Sequence, residues 1–312
     1  MKRSIEYLID KRVPMERSTV ETLAMVSVAA AGAAWGIFWI PLRALDEAGI
    51  VGAWAVVFFY VLPALLLAPI IFLRQRQIVD GGWLLQAAGL LAGVALVCYA
   101  GALIFTEVVR ATLFFYLTPI WSTLLAWIVL GEPITMPRWA TIGLGLMGLL
   151  IIVRADTGMS GGLNTGDWMG IASGVIWAAA AVVMKSDEDG NGIDFTLSYF
   201  VWGSAAALLL LIVPLEGSGS MPDLETIRTV LLWMVPVALL LVIPPAFAIM
   251  WGATVLSPGL VAVLFMTEIS AAAVTAAIWA GEPFGFREVS GVILISAAGI
   301  FEPVLNLYRS RS

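Results

Sequence analysis

The chain has 312 residues, 61% of them hydrophobic and 12% charged, with a formal net charge of −6 and a mean hydropathy of +0.99. Globular domains are about 25% charged, so a water-soluble body is excluded; a helical span takes about 20 apolar residues, which leaves room for about ten. There is no histidine and one cysteine, Cys98, so an internal disulfide, a histidine-based triad and a histidine-ligated metal are excluded, no cofactor or metal is expected, and the scattered charge suggests no nucleic-acid partner.

Residues 1–18, MKRSIEYLIDKRVPMERS, are polar and mixed in charge. They read as a cytosolic N-terminal segment, because the charged part is too long and the apolar run behind it too extended for a cleaved signal peptide. Apolar runs follow at 19–42, 50–73, 83–106, 108–130, 138–153, 167–185, 194–214, 229–252, 257–280 and 286–308. Most connectors between them are short and polar. The spacing predicts an all-α integral membrane protein of ten transmembrane helices. With both termini cytosolic, eleven of the sixteen Lys and Arg residues fall on the inner side and five (Arg43, Arg110, Arg154, Arg228 and Arg287) on the outer. That asymmetry is what fixes orientation in a bilayer. The acidic stretch DEDGNG (187–192) matches the first half of a calcium loop but has Ser198 where a bidentate glutamate is needed, so it reads as a turn.

The two halves repeat. Residues 113–133, LFFYLTPIWSTLLAWIVLGEP, align without gaps on 263–283, VLFMTEISAAAVTAAIWAGEP. Phe115 meets Phe265, Thr118 meets Glu268, and Gly-Glu-Pro meets Gly-Glu-Pro. At a shorter offset, Gly32, Trp35 and Arg43 fall on Gly174, Trp177 and Lys185. Each half holds an odd number of spans, so the second inserts upside down relative to the first. The predicted organisation is therefore two inverted five-helix repeats, 19–155 and 156–312, around a central cavity. Secondary transporters are commonly built this way, with the substrate near the midplane. In Gly-Glu-Pro the glycine and proline end a helix, and Glu132 and Glu282 read as punctuation at the membrane surface.

Glu268 lies near the bilayer centre, where a carboxylate costs a few kcal/mol and usually faces a cavity or a partner. Ionised, it would hold a substrate ammonium. Cycling between its two forms, it would couple transport to protons. The bland alternative is a glutamate hydrogen-bonded to a neighbouring helix. Pro119, one residue after Thr118, removes a helical hydrogen bond and is expected to free the carbonyl of Phe115. Pro244 and Pro245 are expected to free the carbonyls of Leu240 and Leu241 in the same way. These three prolines are the candidate hinges, because broken backbone at this depth is tolerated where it is buried or lines a cavity. Aromatic residues cluster at similar depth: Trp35, Trp39, Tyr99, Phe115, Trp177 and Phe247. Taken singly, each is ordinary packing; taken together with Thr118 and Glu268 they form the candidate binding surface. No basic run reaches the midplane, which argues against phosphorylated substrates.

The residues Gly-Ala-Ala-Trp (32–35) with Arg43, Leu-Thr-Pro-Ile-Trp (117–121), both Gly-Glu-Pro triplets, and Trp-Gly-Ala-Thr-Val-Leu-Ser-Pro (251–258) leading into Met-Thr-Glu (266–268) carry a resemblance. From about Ala30 to Tyr308 the chain resembles the drug/metabolite transporter superfamily, EamA type. The stretch EVVRATLFFYLTPIWSTLLAW is similar to aromatic amino acid exporters of the YddG type. The resemblance implies a cavity lined by spans 1, 3, 4, 6, 8 and 9, and export across a bacterial inner membrane. The expected function is alternating-access export of a small metabolite, foremost an aromatic or other neutral amino acid. Another metabolite or drug, such as a nucleobase or a cationic compound, is the nearest alternative. An enzyme is not expected, since histidine is missing and no paired carboxylates sit at the midplane; a receptor would have no use for the repeat.

Overall fold

The computed structural model describes residues 17–106, 108–153, 163–212, 219–280 and 284–309. Most of the N-terminal segment, the midpoint linker 154–162 and the second Gly-Glu-Pro lie outside these residues. Every regular element among the described residues is helical. In chain order they are α1 (Arg17–Trp35), α2 (Trp39–Glu47), α3 (Ala53–Leu73), α4 (Gln75–Asp80), α5 (Gly82–Phe105), α6 (Val108–Phe115), α7 (Thr118–Leu125), α8 (Met136–Val153), α9 (Thr165–Ser186), α10 (Gly192–Leu210), α11 (Leu224–Val237), α12 (Ile243–Val255), α13 (Pro258–Phe265), α14 (Thr267–Thr275) and α15 (Phe286–Arg309). Short π-helical segments, Ala126–Leu130, Ala238–Val242 and Ala276–Ala280, continue α7, α11 and α14.

Among the described residues, each of the ten apolar runs carries helix, and seven stretches are long and apolar enough to cross a membrane, among them Leu224–Val255 and Pro258–Trp279. Without water to satisfy backbone groups, a helix is the form such runs must take. Three helices, α9, α10 and α11, start where a short polar side chain supplies the missing intrahelical acceptor. Asn164 accepts from the Asp167 amide while Asp167 bonds back to the Asn164 amide, a reciprocal box at the head of α9. Asn191 and Asp223 cap α10 and α11 by accepting from the Asp194 and Thr226 amides. Asp167 is fully buried and also accepts from Thr106, tying the end of α5 to the start of α9. Asn164→Ala is expected to cost about 1 kcal/mol through loss of the cap, read as a lower melting temperature in detergent.

Three helices are interrupted. The chain turns between α1 and α2 at residues 36–38, between α6 and α7 at residues 116–117, and between α13 and α14 at Met266. At the second break, Pro119 lies in the first turn of α7 and donates no hydrogen bond, so the helix restarts with the Ile120 and Trp121 amides on the Leu117 carbonyl. The freed carbonyl of Phe115 accepts from the Thr118 hydroxyl. At the third break no proline is present; the Met266 amide takes a tighter bond to Val263 instead. Pro244 and Pro245 start α12 directly after a π-helical segment. The first Gly-Glu-Pro ends its helix as expected, with Gly131 left-handed at φ 69°.

The helices interlock. α1 packs on α12, α13 and α14, while α9 packs on α5, α6 and α7. α8 and α15 form a separate close pair. Glycine permits the tightest approaches, as small residues do where helices meet in lipid. A Cβ on Gly93 would lie 2.6 Å from the Gly203 nitrogen, and one on Gly36 would lie 2.5 Å from the Glu268 carbonyl oxygen.

Candidate functional site

Glu268 is the midpoint of the site. It stands midway along the Pro258–Trp279 span, in the first turn of α14 just past the break at Met266. Its backbone is pressed against Gly36 of the α1–α2 break. Its side chain is partly exposed and accepts a hydrogen bond from the Tyr116 hydroxyl. Tyr116 is itself in the α6–α7 break and is 2% exposed. Three helix interruptions thus meet around one carboxylate. No ion pair to Glu268 occurs among the described residues.

Tyr116 is also one link in a continuous chain of aromatic rings. Trp35 meets Phe265 edge-on with centroids 5.2 Å apart. Phe265 faces Tyr116 at 6.5 Å, Tyr116 meets Phe115 at 5.1 Å, and Phe115 stacks on Tyr99 at 4.3 Å. Five helices or breaks contribute to the chain, so its shape depends on how the two halves sit together. Phe115, Tyr116 and Phe265 are buried, so the chain is closely packed, with its polar groups gathered at the Tyr116–Glu268 contact.

Among the candidate residues, Trp35, Tyr99, Phe115 and Glu268 are therefore brought together. Thr118 is beside them, but its hydroxyl is committed to the Phe115 carbonyl. Trp39 lies further along, donating to Thr275 at 3.1 Å, two turns beyond Glu268 on the same face of α14. The Arg43 guanidinium covers the Trp39 ring at 5.4 Å. Trp177 is 2% exposed within the apolar core, on an α9 that runs unbroken where its counterpart α1 is interrupted. Phe247 is 39% exposed and outside the ring chain. Pro119, Pro244 and Pro245 each stand in the first turn of a helix.

Sequence reasoning missed Tyr116 and Phe265 as site residues. The alignment of Phe265 with Phe115 was the available signal for one. For Tyr116 the signal was its position two residues ahead of Thr118, the counterpart of Glu268.

One end of the bundle is tied by polar contacts. Arg74, after α3, donates to both carboxylate oxygens of Asp194 at the head of α10, at 2.6 and 2.8 Å, and Asn191 adds a third bond to Asp194 at 2.6 Å. Lys185 at the end of α9 donates to the Val255 carbonyl at 2.5 Å. Arg138 at the start of α8 donates to Ser257 at 2.8 Å. Hydrogen bonds to charged groups are the stronger ones. At the opposite end stand the Asn164–Asp167–Thr106 cluster and the Trp39–Thr275 contact.

These features define a multi-pass helical membrane protein with an acidic residue midway along one span. The profile of the EamA-like transporter family matches residues 22–154 and again residues 164–301, and the chain belongs to that family, within the drug/metabolite transporter superfamily. An uncharacterized transporter of Synechocystis sp. is 30% identical over 142 residues, which are 45% of this chain and 43% of that protein. The match thus spans less than half the length of that relative. A solved crystal structure of a protein, 16% identical, superposes with a TM-score of 0.70 over 93% of this chain and 96% of its own, a likeness of fold.

Proposed function

We propose that the protein exports a small aromatic or other neutral amino acid across a bacterial inner membrane by alternating access. The observation that carries this reading is Glu268: a carboxylate midway along a span, with no cation paired to it among the described residues, bonded to Tyr116 in a chain of packed aromatic rings. A buried charge of this kind needs a partner, and an ammonium group supplies one while the rings enclose an apolar side chain. Cation–π attraction adds to the same preference. Trp35, Tyr99, Phe115 and Glu268 form the binding surface in this reading, and Thr118 shapes it by satisfying the broken backbone. Trp39 lines the way toward one end. Trp177 supports the surface from the core, and Phe247 bounds it only in another conformation. Pro119, Pro244 and Pro245 allow the helices that carry them to bend. Proton coupling through Glu268 belongs to the same reading.

The architecture that goes with this function is ten spans in two inverted repeats, 19–155 and 156–312, around a central cavity, with residues 1–18 and the C-terminus cytosolic. Several features support it. α6 (Val108–Phe115) and α13 (Pro258–Phe265) begin and end 150 residues apart, as do the π segments Ala126–Leu130 and Ala276–Ala280. The packing is swapped in the way a two-fold relation requires: the first span of one half lies on the third and fourth of the other, in both directions. The family profile also matches twice, once in each half. The tied end carries Arg74, Arg138 and Lys185, which supports reading it as the cytosolic end under the positive-inside asymmetry.

An organic cation is the second reading, because the described contacts of Glu268 include no group that would hold a substrate carboxylate. The test is flux of labelled tryptophan, phenylalanine, alanine, adenine and tetraphenylphosphonium in proteoliposomes, with and without a pH gradient. Saturable movement of the aromatic amino acids is the expected result, and its dependence on the gradient would identify protons as the couple. Movement of tetraphenylphosphonium alone would favour the second reading, and movement of adenine alone would refute both.

A further inference from the structure

The Tyr116–Glu268 contact joins two interruptions that belong to different halves of the chain. Tyr116 occupies the non-helical turn between α6 and α7. Glu268 stands in the first turn after the break at Met266. The contact lies midway along the span, where both helices are interrupted, and its partners are a phenol and a carboxylate. An O–H donated to an ionised carboxylate is about twice as strong as one between neutral groups. Its strength therefore depends on how much negative charge the carboxylate carries.

The surroundings sharpen this dependence. Tyr116 is held in place by packing on both sides, against Phe115 and Phe265, and is almost fully buried. Glu268 keeps part of its surface accessible. Of the pair, Glu268 is the more accessible partner. The Phe115 carbonyl, which would otherwise compete for a donor, is already satisfied by Thr118. At the break in the other half, Thr267 donates to the Ala29 carbonyl of α1, which fixes α14 to the first helix. The Tyr116 bond is then the described polar link between the two broken helices at this depth.

We propose that Tyr116 is a positioning residue that couples ligand binding to movement: an ammonium-bearing solute on Glu268 weakens the Tyr116–Glu268 bond and so releases the two broken helices from one another. This rests on the reading of Glu268 as an ammonium site. A cation on the free oxygen withdraws the charge that strengthens the phenol bond. By linkage, the bond must weaken ligand binding by the same factor by which the ligand weakens the bond. A phenol without its hydroxyl removes that opposition. The empty protein, no longer held by the bond, also reorients more readily.

The experiment compares the native protein, Tyr116→Phe and Glu268→Gln, purified in detergent and in proteoliposomes, with tryptophan as the probe and N-acetyltryptophan, which lacks the ammonium, as control. Tyr116→Phe is expected to bind tryptophan about 3–10-fold more tightly, in the range of one charge-assisted hydrogen bond partly offset by lost alignment. N-acetyltryptophan should show no such gain. Net efflux of tryptophan should rise relative to tryptophan–tryptophan exchange, since the empty protein returns faster. Tryptophan binding by Tyr116→Phe that is unchanged or weaker, with an unchanged ratio of net efflux to exchange, overturns the coupling. Full tryptophan binding by Glu268→Gln overturns the ammonium site itself, as does absence of tryptophan binding to the native protein. If Tyr116→Phe does not fold, infrared difference spectra of native protein carrying isotope-labelled tyrosine decide the matter. A shift of the labelled phenol band on tryptophan binding is expected, and its absence overturns the proposal.

Discussion

Glu268→Gln is expected to lower saturable tryptophan flux about 100-fold or more while leaving the melting temperature close to that of the native protein. The argument is one of charge without a change of shape. The amide keeps an oxygen that can accept from Tyr116, so packing against Gly36 and the ring chain survives. What is lost is the anion. Removing one partner of a buried, hydrogen-bonded charge pair costs about 2–5 kcal/mol, and about 1.4 kcal/mol is tenfold in binding. The measurement is initial flux over a range of tryptophan concentrations in proteoliposomes of matched protein content. Flux at the native level would make Glu268 structural and move the site to the rings alone.

Gly93→Val is the substitution expected to harm stability most. The Cβ it adds would lie 2.6 Å from the Gly203 nitrogen and 2.7 Å from its Cα. Both are backbone atoms, so no side chain can swing aside. Gly203 cannot retreat either, since its own added Cβ position would be 2.4 Å from the Tyr60 ring, and Tyr60 is buried against Tyr199. α5 and α10 must separate, which breaks the Gln86–Trp202 bond and the Ser198 bond to the Leu85 carbonyl. Overpacking in a dense interior costs about 1–3 kcal/mol and more when backbone must move. The expected outcome is a fall in melting temperature of at least ~10 °C, or loss of monodisperse protein on size-exclusion chromatography. A native-like profile would show that the helices can slide apart at little cost.

Much of the helical layout was legible in the sequence, because hydropathy alone dictates helix where backbone groups meet no water. The ten apolar runs each carry helix for that reason. The Pro119 break was legible too, since proline removes a specific donor. The Met266 break was not: nothing in Phe-Met-Thr-Glu forbids a helix, and the interruption arises from tertiary contacts. Thr267 bonds across to Ala29, and Gly32 and Gly36 let α1 press on the backbone there. The π segments were equally hidden, as their residues differ little from ordinary helix formers. Glu268 stood out because charge at mid-depth is costly wherever it occurs. Tyr116 did not, since nothing in the sequence marks residues 116–117 as the turn that carries its hydroxyl to Glu268. Trp177 shows the converse. The repeat equates it with Trp35, but α9 runs straight where α1 is interrupted, so the two indoles have different surroundings.

The three ties at one end of the bundle, Arg74–Asp194, Lys185–Val255 and Arg138–Ser257, carry a thermodynamic demand. A carrier that cycles must visit a form in which this end has come apart, and each charged hydrogen bond given up is a debit against that form. If nothing replaced them, the tied form would dominate so heavily that turnover would stall; a ratio of 99:1 already needs an opposing swing of about 5.5 kcal/mol to reach 1:99. A working cycle therefore requires near-equal compensation at the far end. The groups positioned to supply it are Arg43, Asp223 and the Asn164–Asp167–Thr106 cluster, with new partners gained as that end shuts. The polar residues of the two rims then act as opposite pans of one balance, and a substitution on either rim shifts the poise of the whole molecule without touching the solute.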